Sequence, residues 1–508
     1  MNTPTPTRAW PLAVCAQAAD LLSFQELLAH TQQALEAKNV LLSWFGHPEP
    51  GAPLGGDLRV TAVLLGAQGL RVLQARVAAQ TAYPALSARY PGAQAFEREL
   101  WEQTGLQPQD HPWLKPLRFA GANARTMADY PFFKVRGAEV HEVGVGPIHA
   151  GVIEPGHFRF MCHGEQVHHL EIQLGYQHRG VEALLLRKPP QRLTPLVESI
   201  AGDSVAAYAW ALNAALEALA GHDTAPAVQA SRAVALELER LAMHLATLTG
   251  LVTDVGYLQP AGTYQRLRTA IINATQRVCG NRFGKGWIRP GAAAPLTDAV
   301  RQDLQHTLTA FAPDFLQVNA LVRASRSAQA RFCGVGTVSG TSALDLNLWG
   351  PVGRASGRAL DVRLALLSGA YARQAPQAIT QSAGDCWARL LQRMDEAQDS
   401  LRWLQAVLDD PAFDLASSPD PFAPQPESTL SAWPLAPNAC CVAPIEGVRG
   451  PVLLALSTDA QGQLCHVKVQ DPSLTNWFGL AWALRQQQIS DFPICNKSFD
   501  LSYCGHDL

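Results

Sequence analysis

Six of the fifteen histidines fall between Gly146 and Gly180, at His149, His157, His163, His168, His169 and His178, with Cys162 and Glu154 among them. Imidazole, thiol and carboxylate at this density suit a metal site, a proton path or the polar edge of a sheet. The runs "GHFRFMC" and "HHLEIQLGY" alternate apolar and polar residues, which predicts a small antiparallel sheet. On such a strand His168 and His169 point to opposite faces, so they cannot chelate one ion together and read as solvent- or interface-facing. The ten cysteines form no C-x-x-C pair, which excludes a zinc ribbon or a ferredoxin-type cluster held by this chain. No G-x-G-x-x-G follows a strand, so no dinucleotide site is predicted.

The elements that must position these residues follow from length and periodicity. A chain of 508 residues, 47% hydrophobic and 16% charged, predicts a globular protein of two or three domains. A net charge of -3 gives no signature for nucleic acid, and so few charges suggest surface covered by partners. The first segment meets Asp20 and Glu26 too early for a signal peptide, and no run of about 18 apolar residues predicts a membrane span. Reduced cysteines in a cytoplasmic protein are the expectation. Residues 1–120 read as an α/β unit: a helical "LLAHTQQALEAKN", a hairpin "LRVTAVLLGAQGLRVLQARV", and a helix "AFERELWEQTG" with Glu97, Glu99 and Glu102 on its polar positions. Residues 121–138 read as a linker. Residues 139–508 begin with the small sheet and continue in long helices with wide apolar faces, then a Pro-rich loop and a strand pair turning at "DAQGQ".

Several segments in order, "GPIHAGVIEPGHFRF", "LGYQHRGVE", "LELERLAMHL", "GNRFGKGWIRPG", "GPVGRASGRALDVR" and "IEGVRGPV", resemble large subunits of membrane-bound nickel–iron hydrogenases of the formate hydrogenlyase type. They also resemble the homologous quinone-site subunit of complex I, and "FERELWEQTGLQPQDHP" resembles that complex's small peripheral-arm subunit. The resemblance implies an α/β N-terminal domain and a mainly α (α+β) large-subunit-like domain with a central bundle. In hydrogenases of this type four cysteine thiolates hold nickel and iron, as soft donors do. Here those positions fall on Ala201, Ser204, Ser502 and Gly505, while Cys495 and Cys504 miss the ligand spacing, so no nickel–iron centre and no other cofactor bound by this chain is expected. In the complex I branch the pocket takes a quinone through a His, matched by His149, and a Tyr, whose place Ser199 takes. That branch's second His falls on Ile153, and Tyr208 lies too far along the next helix to substitute.

The resemblance also assigns candidate roles. Glu154 matches a carboxylate that passes protons, a task for a partly buried acid with a raised pKa; the alternative is a structural carboxylate accepting N–H bonds at a Gly turn. His157 is placed to support it. His178, in "HRGVE", matches a segment at the pocket, or else fixes a sheet-to-helix turn. Arg449 matches an arginine beside the metal; without metal it polarises a carbonyl or water, or pairs with Glu446. Arg354, Asp361 and Arg363 read as ion pairs, and Glu237, Glu239, Arg240 and His244 as a charged row on a central helix or a solvated face. The implied function is a peripheral-arm subunit of a membrane-associated, complex I-like oxidoreductase, coupling electron transfer, with quinone as a candidate acceptor, to proton or ion movement. An iron–sulfur small subunit would carry the cluster, and membrane-arm antiporter-like and anchor subunits would hold the chain on the inner face of the membrane. The alternative is a catalytically silent scaffold; an active nickel–iron hydrogenase is disfavoured by Ala201 and Gly505.

Overall fold

The protein, seen in a computed structural model, is described over residues 9–10, 13–17, 20–52, 55–121, 126–151, 153–421 and 433–508. Parts of the opening segment (1–8), the expected linker (122–125) and the Pro-rich loop (422–432) lie outside the described residues. An α/β unit precedes a mainly helical α+β body, as the residue pattern predicts. Among the described residues no helix is long and apolar enough to cross a membrane.

In the first unit, Ser23 and Glu26 form a reciprocal capping box that starts the helix Phe24–Glu36. The predicted hairpin is Leu58–Gly66 paired with Gly69–Val77, in a four-stranded sheet with Val40–Pro48 and Leu22–Ser23. Helix Gln94–Thr104 stops at Gly105, which takes a left-handed φ of 84° open to glycine. Its polar positions do not face water. Glu97, Glu99 and Glu102 are all buried, because each carboxylate meets donors from a different segment. Glu97 accepts from the N–H groups of Leu86 and Ser87, and Glu102 from those of Leu117, Arg118 and Phe119. Glu99 bonds to Arg118 and to Lys468 of the last hairpin. These carboxylates are joints between elements, which satisfies buried donors at both ends.

The body contains the predicted small sheet, Val140–Val145, His157–His163 and Gln166–Gln173 in antiparallel pairing. Long helices follow: Val205–Leu219, Pro226–Asp254, Leu258–Cys279, Asp298–Ala324 and Cys386–Asp409. Val205–Leu219 is buried along its whole length, which explains its almost uniformly apolar sequence. It packs on a hairpin of Ala439–Gly447 and Gly450–Thr458, whose sheet continues into Leu464–Gln470 on one side and Ala13–Gln17 on the other. His47 and His466 stack 4.3 Å apart between the first unit and this sheet.

The charged row on Pro226–Asp254 is interior, not solvated. Glu237 receives Arg363 at 2.9 Å, the Tyr371 hydroxyl at 2.7 Å and the Ser400 hydroxyl at 2.6 Å. Arg363 also grips Asp361, and Arg354 bridges Glu396 and Glu446 at 2.7 Å each. Burial alone would raise the Glu396 carboxyl; the Arg354 charge outweighs it and holds that acid well below the usual range. His244 Nε2 lies 3.2 Å from Glu396, yet burial drives the imidazole down to about 4, so it faces the carboxylate as a neutral ring.

Two outcomes follow from this interior. Replacing Arg354→Met strands two buried carboxylates and should cost about 3–5 kcal/mol, read as a lower denaturant midpoint; an unchanged midpoint would show the junction to be dispensable. His47, His111 and His244 are each held down to about 4 by burial, against about 6.5 in an unfolded chain. Above pH 6.5 both states are neutral; between 6.5 and 4 only the unfolded state gains the proton, so stability falls as pH drops through that window. His244→Gln should flatten part of this slope when denaturant midpoints are compared from pH 7 to pH 4.5.

Candidate functional site

The candidate residues converge where four segments meet: the turn after Val197, the hairpin turn at Gly447–Gly450, the loop at Asp471, and residues 500–508. Asp471 begins a short loop in which its own carboxylate accepts from the Ser473 N–H at 2.8 Å. Ser502 caps the last helix, Tyr503–Asp507, its hydroxyl accepting from the Gly505 N–H at 2.9 Å.

Arg449 sits at the centre, 7% exposed. Its Nη2 donates to Asp203 at 2.6 Å and lies 3.5 Å from the Asp500 carboxylate, while Nε donates to the Asp500 carbonyl. It does not pair with Glu446, because that carboxylate is already taken by Arg354 and the Val362 N–H. Burial would raise the Asp203 carboxyl, but Arg449 outweighs burial and lowers it, so the pair is ionic. Arg449 Nη1 and Asp203 Oδ1 remain buried and without a hydrogen-bond partner.

Ala201 and Ser204 flank Asp203, both buried. Ser204 precedes the helix Val205–Leu219 but leaves its end uncapped; Glu239 instead accepts from Ala206 N at 2.7 Å and Ala207 N at 3.3 Å. Burial lifts the Glu239 carboxyl to about 8, against the pull of those two N–H groups. Tyr208 lies one turn further on and donates to Asp471 at 2.7 Å. That carboxylate fills the space beside Gly505: a Cβ there would stand 2.5 Å from Asp471 Oδ2 and 2.8 Å from Ser502 Oγ.

The other candidates lie around this centre. Glu154 accepts from the Cys504 N–H at 3.3 Å and is exposed rather than partly buried as expected, so it can handle protons by exchange with solvent. His149 and His157 close the same loop from opposite ends, His149 on the Gly156 carbonyl at 2.8 Å and His157 on the Gly146 carbonyl at 3.2 Å. His157 therefore supports the loop rather than Glu154. His178 Nδ1 contacts the Asp507 carbonyl at 2.7 Å, and Arg179 donates to the Ile200 carbonyl at 2.9 Å, so "HRG" ties residues 199–200 to residues 504–508. Ser199 is exposed and donates to the Pro195 carbonyl at 2.9 Å, with Lys285 Nζ 3.3 Å away. The structure thus brings together Arg449, Ala201, Ser204, Ser502 and Gly505, with Glu154 and His178 at their rim, while His149 and Ser199 stand on separate outer turns. Among the described residues no three His, Cys, Asp or Glu side chains are placed to hold a metal ion. Residue types and spacing miss Asp203, Asp471 and Tyr208. The one sequence signal was a lone Asp in an otherwise small-residue turn, "AGDS".

Comparison with known proteins supplies the family context. The family described as respiratory-chain NADH dehydrogenase, 49 Kd subunit, matches residues 254–507, and that of the 30 Kd subunit matches 14–132. A carbon monoxide-induced hydrogenase of Rhodospirillum rubrum is 27% identical over 71% of this chain and 97% of its own length. Formate hydrogenlyase subunit 5 of Escherichia coli is 27% identical over 84% of this chain and 77% of its own. An NADH-quinone oxidoreductase subunit of Thermus thermophilus is 29% identical over 71% and 92%.

The contact at Gly505 yields a stability outcome. Gly505→Ala drives a methyl against Asp471 and Ser502 and should destabilise by about 1–3 kcal/mol, measured by denaturant unfolding. Full tolerance of the alanine would mean that Asp471 does not occupy that space.

Proposed function

The chain belongs to the family of the respiratory-chain NADH dehydrogenase 49 Kd subunit, with a 30 Kd-subunit region ahead of it, and from that premise we propose that it is a peripheral-arm subunit of a membrane-associated oxidoreductase. It works without a nickel–iron centre of its own and couples electron transfer to proton or ion movement. The observation that carries this reading is Arg449: a buried cation whose Nη1 has no partner, set among positions that lack thiolates. The residues do not fit nickel and iron. Ala201 and Gly505 offer no donor atom, Ser502 Oγ already accepts from Gly505, and the Asp471 carboxylate crowds the Gly505 position. No step is derived through such a centre.

A quinone carbonyl admitted at this turn would accept from the free Nη1–H, which would hold and polarise the acceptor oxygen as charge develops on it. Asp203 keeps Arg449 aimed, and Glu239, lifted to about 8 and set behind the same turn, is neutral at pH 7 and able to give up a proton nearby. Glu154 at the rim would exchange protons with solvent, with His149 and His178 holding the loops on either side. Electrons would arrive from an iron–sulfur small subunit, and membrane-arm antiporter-like and anchor subunits would seat the chain on the inner face of the membrane. We assign residues 1–120 to the small-subunit-like domain, 121–138 to the linker and 139–508 to the large-subunit-like domain. A core running from Leu27 to Leu117 supports the division, while Leu42, Phe45, Val63 and Leu65 pack against Trp349, Val362 and Cys440 of the body, and strand Ala13–Gln17 joins the body's sheet.

The test uses the intact complex. Purified from its native membrane, it should contain an iron–sulfur partner and no stoichiometric nickel by elemental analysis. Arg449→Lys keeps the cation but removes the free Nη1 and should lower quinone reduction at least tenfold, as should Glu154→Gln, with the complex still assembled on native gels. Nickel at one per complex would overturn the metal-free reading. Undiminished turnover in both variants would favour the silent scaffold.

A further inference from the structure

Away from the candidate site, two thiols meet in the core. Cys386 is the first residue of the helix Cys386–Asp409, and Cys495 lies in the helix Phe492–Phe499. Their sulfurs stand 3.7 Å apart, and both side chains are fully buried. Arg389 Nη2 donates to Cys386 Sγ at 3.3 Å, and the Ser498 hydroxyl lies 3.5 Å from the same sulfur. Gly336 faces the pair: a Cβ there would collide with Cys495 Sγ, so glycine keeps the space beside the sulfurs open.

We propose that Cys386 and Cys495 form a redox-active dithiol that closes to an intramolecular disulfide on reaction with a small hydroperoxide. The chemistry of the two thiols is unequal. Burial raises the Cys386 thiol, but the hydrogen bond from Cys495 and the Arg389 charge outweigh it and bring it down to about 6. Cys495, donor to that sulfur, is pushed well above its ordinary value by the same bond and by burial. Cys386 is therefore the attacking thiolate and Cys495 the resolving thiol. The Cys386 thiolate attacks one peroxide oxygen, breaking the O–O bond and leaving a sulfenic acid and hydroxide. Cys495 then attacks the sulfenic sulfur, the S–S bond forms and water leaves. Two thiols are oxidised and one hydrogen peroxide is reduced to hydroxide and water. The sulfurs must close from 3.7 Å to about 2.05 Å, a change within reach of side-chain rotation. With both sulfurs fully buried, only an oxidant as small as hydrogen peroxide reaches them, through local opening of the fold.

The position gives the bond a consequence. Cys495 lies on the helix that leads directly into Asp500, whose carbonyl and carboxylate hold Arg449. Oxidation also removes the thiolate beside Arg389, leaving that guanidinium on Ser498 and the Gly336 and Gly384 carbonyls. The oxidation state of the pair is thus transmitted to the segment that sets the site's cation.

The test treats the intact complex with hydrogen peroxide, blocks free thiols by alkylation and maps peptides without reduction. A cross-linked peptide joining Cys386 to Cys495, lost on adding dithiothreitol, is expected. Cys495→Ser should trap the sulfenic acid on Cys386, labelled by dimedone, whereas Cys386→Ser should leave Cys495 unlabelled. Both thiols recovered free while the exposed Cys333 is oxidised would overturn the proposal, as would dimedone labelling of Cys495 in Cys386→Ser. The wild-type peptide map decides the matter even where a variant fails to fold.

Discussion

The structure depends on one rule applied in its interior: a charge taken out of water must be answered by an opposite charge or by hydrogen-bonding oxygens. Arg354 shows it most plainly. It joins Glu396 on the helix Cys386–Asp409 to Glu446 on the strand Ala439–Gly447, with Asp361 3.7 Å away. Glu237 binds the helix Pro226–Asp254 to Arg363 and Ser400, and Arg240 of the same helix donates to the carbonyls of Glu446 and Gly447. Helices and hairpin cannot slide against one another without stranding a charge. That restraint fixes the turn after Glu446, and from that turn Arg449 emerges. The cation of the candidate site is aimed by a core it does not belong to.

The site's cation is incompletely answered, as Arg118, Arg232, Arg240 and Arg393 also are among the described residues. Arg449 spends Nε and Nη2 on Asp500 and Asp203 but leaves Nη1 unpaired in a buried setting. What sets Arg449 apart is its place at a turn beside Ala201 and Ser204, where the proposed acceptor oxygen would meet its free donor. The surrounding loops are correspondingly well tied. Asp507 accepts from the N–H groups of Gly175 at 2.8 Å and Gln177 at 2.9 Å, and Arg179 N donates to the Leu508 carbonyl at 2.7 Å. The rigid part is the frame, and the unsatisfied part is the group inside it.

How much of this was legible follows from what periodicity encodes. Spacing at 3.6 residues located the long helices, and the alternation around Phe158 and the glycine after Leu65 located the sheet and the hairpin, because those patterns record which face is buried. Spacing does not record what a polar side chain meets. Glu97, Glu99 and Glu102 read as the polar positions of a helix and are buried joints. One of the two readings of Arg449 paired it with Glu446, its neighbour in sequence, while its partners lie 246 and 51 residues away. Tyr208 was set aside on helical position, yet it reaches Asp471 across 263 residues. The carboxylate of Asp471 and the phenol of Tyr208, packed beside Ser502 and Gly505, could only be found from coordinates.

That pair gives the site its internal logic. Small residues at Ala201 and Gly505 leave volume that a core does not tolerate unfilled, and buried polar groups there need partners. Burial, and then the Asp471 charge, hold the Tyr208 hydroxyl protonated far above neutral pH, so it is a permanent donor to that carboxylate. The carboxylate needs the Gly505 position to have no side chain, and the Ser502 hydroxyl needs the Gly505 N–H. A cysteine at 505 would evict Asp471, and Tyr208 would then lose its acceptor. Gly505, Ser502, Asp471 and Tyr208 are therefore mutually dependent, and together they form a polar wall beside Arg449.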